Sequence, residues 1–172
     1  MAEKFSLAAL NSLTLAEFIQ IIGPVFEHSP WIAKLTWVEK PFARRAHLHE
    51  SLCETVRNAG ETHQLALIRA HPDLVGKLAL AGALTRESTS EQASAGLDQL
   101  SPAEIAIFQK QNAAYQERFG FPFVICARLN KKEAIIAGFE KRLKHTRGNE
   151  VKTALEEIFK IADLRLRDLI HD

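Results

Sequence analysis

Three side chains in this sequence have the type and setting to do chemistry without a bound group: His71, Glu91 and Arg165. His71 ends a helical pattern, is followed by Pro72 and opens a Gly-rich stretch, so its ring could face a pocket between helices and move a proton near neutral pH. A histidine in that position also suits the last carbonyls of its own helix, and both uses stay open. Glu91 lies three residues after Ser88, the spacing of a capping box in which the carboxylate serves the backbone. On a helical projection Arg165 falls about 80° from the centre of the last helix's apolar stripe, beside Ile158 and Leu169. From that border a guanidinium either snorkels to water or reaches into a cleft and holds a carboxylate through two parallel hydrogen bonds.

Other chemistries lack their motifs. There is no His-Glu-x-x-His and no Glu-x-x-His of the kind used by helical di-metal bundles, so no metal is expected. His47 and His49, two apart, fall on different sides of a helix and read as solvated. Gly76 and Lys77 lack the upstream glycine of a phosphate loop, and neither Gly-x-Gly-x-x-Gly nor Gly-x-Ser-x-Gly occurs. Cys126 sits in an apolar run and reads as packing.

The elements that must position these residues are helical. Thr14 with Glu17, and Ser101 with Pro102 and Glu104, have the form of capping boxes, and Gly120 closes the helix that Ser101 opens. Ser29 and Pro30 read as the start of a short helix containing Trp31 and Trp37. Further helices are expected over 42–59 and 61–70, from Asn130 and Glu133 to about Thr146, and from Asn149 to the end. Lys141, Arg142, Lys144 and His145 stand where a helix dipole favours cations. The pattern predicts about eight helices. Two stretches depart from it: 73–97, rich in Gly, Ala, Ser and Thr, reads as a long connection with one short helix inside. Residues 121–127 form a β-prone run with no second strand to pair with. Its backbone groups need partners, from side chains, water or a polar ligand.

Composition bounds what remains. The chain has 172 residues, 47% hydrophobic and 25% charged, with 22 Lys and Arg against 21 Asp and Glu. That length suits a single domain over 1–172. A net charge of +1 gives no field to draw it onto nucleic acid or an anionic membrane. Two cysteines make no disulfide framework, and no apolar run is long enough to span a bilayer. A soluble cytoplasmic protein with no nucleic-acid partner and no membrane partner is the expectation.

The residues then carry a specific likeness. His71-Pro72-Asp73-Leu74 with Gly76-Lys77, Thr85 through Ser88 to Glu91-Gln92 and on to Ala95-Gly96-Leu97, Phe119-Gly120-Phe121-Pro122-Phe123-Val124-Ile125-Cys126, and Ile161-Ala162-Asp163-Leu164-Arg165-Leu166-Arg167 occur in order. In these four motifs the chain resembles the 2-oxo-4-hydroxy-4-carboxy-5-ureidoimidazoline (OHCU) decarboxylases of uric acid breakdown, from about Leu10 onward. The resemblance implies an all-α homodimer that converts OHCU to (S)-allantoin and carbon dioxide without a cofactor, with the extended segment in its active-site cleft. It implies a catalytic His71, an active-site Glu91 and a substrate-holding Arg165. It places Pro72, the stretch Ser88, Thr89, Ser90, Glu91 and Gln92, and the stretch Phe123, Val124, Ile125, Cys126 and Ala127 against the substrate. The alternative is a helical ligand-binding or interaction module that does no chemistry.

Overall fold

The structure, a computed structural model, describes residues 4–171. Ten α-helices occur among them: α1 (Leu7–Ser12), α2 (Leu15–Ile22), α3 (Trp31–Thr36), α4 (Arg45–Asn58), α5 (Glu61–Ala70), α6 (Lys77–Leu80), α7 (Arg86–Ser94), α8 (Pro102–Phe119), α9 (Lys132–Arg142) and α10 (Arg147–Leu169). The all-α class is as the sequence predicts. The two helices beyond the expected eight are α1 and one of the pair α6 and α7, which divide the Gly-rich stretch between them. No helix among the described residues is long and apolar enough to cross a membrane.

Local chemistry explains the strongest boundaries. Thr14 Oγ1 accepts from Glu17 N while the Glu17 carboxylate accepts from Thr14 N at 2.8 Å, and Ser101 with Glu104 repeats the exchange at the head of α8. Gly120 ends α8 at φ 77°, a left-handed conformation that glycine adopts without penalty. Several boundaries differ from expectation: α9 ends at Arg142 and α10 begins at Arg147, where the sequence pointed to Thr146 and Asn149. Ser29 donates to the Glu27 carbonyl instead of capping α3, whose N-cap is Pro30. Asn130 turns back to the Cys126 carbonyl, leaving Lys131 as the N-cap of α9. Helix α4 starts at Arg45 because the Asn11 amide bonds both the N–H and C=O of Phe42, holding that residue outside the helix.

Contacts divide the chain into two compact units, Met1–Ala70 with Phe159–Asp172 and His71–Ile158. The first buries Leu10, Phe18, Ile22, Ile32, Leu48, Leu52 and Val56 from α1 to α4, and Ala162, Leu166 and Ile170 near the C-terminus. Its two ends meet in a parallel bridge between Phe5 and Ile170. The second is built on aromatic rings. Phe123 stacks on Phe139 at 3.8 Å, and Tyr115 lies 4.6 Å from Phe119 and 5.3 Å from Phe123. These rings bury the run 121–127 against α8 and α9, which is why an unpaired extended segment persists there.

Candidate active site

All but one of the expected site residues belong to the unit His71–Ile158. His71 follows the last residue of α5 and is buried. The turn behind it is tightly specified: a Cβ on Gly76 would come within 2.6 Å of the Asp73 Cβ, so only glycine fits. Val75 adopts φ 53°, a strained conformation for a β-branched residue. Two buried amides hold that turn. The Gln92 side chain accepts from Val75 N at 3.0 Å, and Asn112 of α8 donates to the Leu74 carbonyl at 2.7 Å. Burial pushes the Asp73 carboxyl above the usual carboxylate range.

Helix α7 sets the next group. Its N-cap is Thr85, which accepts from Ser88 N, so Ser88 is the third residue of the helix and not its cap. The capping box between Ser88 and Glu91 is therefore not formed, and the local explanation of Glu91 falls away. Spacing then sorts the stretch 88–92. Ser88 and Gln92 are buried and Glu91 half-buried on one face, whereas Thr89 and Ser90 are exposed, with Thr89 Oγ1 bonded back to the Thr85 carbonyl.

Helix α7 packs on the short 3-10 turn Ala127–Leu129 that closes the extended segment. Lys131 reinforces this contact by donating to the Ser94 carbonyl. Side chains meet part of the segment's backbone: Arg142 donates to the Val124 carbonyl, Glu157 accepts from Cys126 N, and Asn130 donates to the Cys126 carbonyl. Burial pushes the Cys126 thiol up, and the Glu157 and Glu91 carboxylates add to that rise. The Cys126 side chain itself is buried.

Arg165 lies in the other unit. It does not snorkel: it is buried, and its Nη2 meets Glu27 Oε2 at 3.0 Å while Nη1 donates to the Pro24 carbonyl at 3.1 Å. Glu27 precedes His28, whose φ of 45° is again left-handed.

Sequence reasoning passed over several of these groups. Arg142 and His145, read as cations at a helix end, are instead bound to Glu150, which is fully buried; Arg142 Nε and His145 Nδ1 meet its two oxygens at 2.9 and 2.8 Å. Tyr115 donates to the same carboxylate, and burial followed by that carboxylate raises its phenol well above the usual range. A carboxylate at the first turn of the last helix was the available signal, but it reads equally as a dipole-favoured surface residue. His49 is not solvated either, since its Nε2 lies 2.8 Å from the Phe159 carbonyl. Among the described residues no three His, Cys, Asp or Glu side chains group as metal ligands.

These features define a helical protein in which the turn after His71 is bonded to the helix that carries Glu91, and that helix packs on the turn closing the extended segment, all within one unit. Comparison with known proteins gives the family. The profile of the OHCU decarboxylase family matches residues 11–167, and the chain belongs to that family. It is 42% identical over 160 residues to a 2-oxo-4-hydroxy-4-carboxy-5-ureidoimidazoline decarboxylase of Halalkalicoccus jeotgali, covering 93% of this chain and 89% of that one. It is 43% identical over 161 residues to a protein of the same name from Amia calva, covering 94% and 92%. The fold is similar to a crystal structure of (S)-allantoin synthase, with TM-score 0.75 and 27% identity over 96% of this chain and 54% of the other, so this chain spans about half that protein's length.

Proposed function

We propose that the chain decarboxylates OHCU to (S)-allantoin and carbon dioxide, with His71, Glu91 and Arg165 as its working side chains. Membership of the family supports the reaction. The observation that carries the reading is that Gln92 bonds the 71–76 turn to the inward face of α7, while α7 packs on the turn 127–129 that closes the segment, all within one unit. Decarboxylation leaves an electron pair that needs a sink. OHCU has a conjugated imine and carbonyl system of its own, so the protein's tasks are orientation, polarisation and proton delivery. His71 takes the hydroxyl proton near the carboxylated carbon, and Glu91 bonds the ring or ureido nitrogens. One of the two protonates a single face, which sets the handedness of the product. Backbone groups of 123–127 pair with the ureido and ring amides, and Pro72, Ser88 and Gln92 line the same face. The protein works without a cofactor, in the cytoplasm and as a homodimer.

The deciding experiment generates OHCU from urate with the two preceding enzymes and follows circular dichroism. The expected result is an (S)-allantoin signal that grows faster than the blank and is indifferent to a chelator. A trace matching the blank favours the non-catalytic module.

For Arg165 the expectation is a guanidinium that also holds an anionic or carbonyl oxygen of the substrate, its plane set by Glu27 and Pro24. Arg165→Lys cannot reproduce the planar fork, and kcat/KM should fall at least about tenfold. Unchanged kinetic constants would confine Arg165 to the fold.

A further inference from the structure

The segment 123–127 is held by unequal means. At Cys126 a neutral amide suffices: Asn130 donates to its carbonyl at 3.0 Å, joined by Leu129 N at 3.1 Å. At the two peptide groups on either side of Ile125 the partners are charged. Arg142 Nη1 donates to the Val124 carbonyl at 2.6 Å, and Glu157 Oε2 accepts from Cys126 N at 2.8 Å. Satisfying a buried carbonyl does not require a buried guanidinium, which is costly to desolvate and here needs the carboxylate of Glu150 beside it.

The peptide group gives these charges a direction. The Val124 carbonyl and the Ile125 N–H belong to one planar unit, and in a trans peptide they point opposite ways. A cation on the carbonyl draws electron density from the nitrogen and makes the Ile125 N–H a stronger donor, aimed away from Arg142. In the next unit the carboxylate on Cys126 N–H makes the Ile125 carbonyl a stronger acceptor, aimed away from Glu157. Ile125 itself is only half-buried.

We propose that Arg142 and Glu157 are positioning residues: they orient and polarise the two peptide groups flanking Ile125 so that its N–H and C=O meet the –NH–CO– unit of a ureide as a matched donor and acceptor. The face of the Arg142 guanidinium, 4.3 Å from the Phe123 ring, keeps the start of the segment in the same register. This inference rests on the reading that 123–127 contacts the substrate.

Glu157→Gln and Arg142→Gln test it, because each keeps a side-chain amide able to make the bond and removes the charge. Charge-assisted bonds are roughly twice as strong as neutral ones, so KM for OHCU should rise about three- to tenfold in each, with kcat changed less than about twofold. The Kd of (S)-allantoin, used as a ureide probe, should rise by a similar factor. Arg142→Gln also weakens the pairing of a buried carboxylate and tests the fold; Glu157→Gln is the variant that carries the result if Arg142→Gln does not fold. A lowered Tm with wild-type KM, kcat and probe affinity makes both residues merely structural and overturns the proposal. Wild-type protein that binds the probe but gives no turnover defeats the catalytic reading instead, and the probe affinities of the variants then decide this inference. Failure of the wild-type protein to bind the probe overturns it as well.

Discussion

His71→Asn should lose turnover by about a hundredfold to ten-thousandfold, the range a positioned general acid or base contributes, while the protein stays folded. Asparagine keeps a polar, hydrogen-bonding side chain where the buried imidazole stood but cannot exchange a proton near neutral pH. The turn that follows it has anchors of its own, Gln92 on Val75 and Asn112 on Leu74, which the substitution leaves in place. The measurement is the rate of (S)-allantoin appearance by circular dichroism, with far-ultraviolet spectra and thermal melts as controls. Wild-type activity in a folded His71→Asn protein would remove this histidine from the mechanism.

Glu150→Ala should give the largest loss of stability. Glu150 is fully buried and receives Arg142, His145 and Tyr115 on its two oxygens. Removing it leaves the Arg142 guanidinium buried with its charge uncompensated, a change that costs about 3–5 kcal/mol. For a chain of this size each kcal/mol lowers Tm by about 2–4 °C, so a fall of roughly 6–20 °C is expected. Urea unfolding should show a lower midpoint at an unchanged slope. A shift below about 1 kcal/mol would mean that water or a moved side chain compensates Arg142, and that the cluster contributes little to the fold.

Both predictions turn on residues that differ in how far the sequence exposed them. His71 was legible because Pro72 and the glycines beyond it mark a helix end that opens into a connection, and because the surrounding motif is shared with a family. Glu91 was legible as a residue type and misleading as a local pattern: a serine three residues earlier looks like a cap until the helix is seen to begin at Thr85. Thr89 and Ser90 share the motif with Glu91, but helical spacing turns them to solvent. Arg142 and Glu150 carry only the mark of charged residues near helix ends, which read as solvated, and Glu157, midway along α10, carries none.

By itself the sequence determined the helical class, the capped starts of α2 and α8, the left-handed stop at Gly120 and the unpaired run at 121–127. The caps and the stop depend on interactions within a few residues, a hydroxyl reaching an amide three positions on or a glycine tolerating positive φ, while the run shows as a β-prone stretch with no second strand to pair with. Only the tertiary structure decided which charges are buried and what they hold: Arg165 on Glu27, Arg142 on Glu150 and Val124, Glu157 on Cys126. Those bonds join residues 8 to 138 positions apart, and no local pattern encodes a partner at that distance. A buried charge is settled by whether packing delivers a counter-charge or a carbonyl to it, and packing exists only once the helices have met.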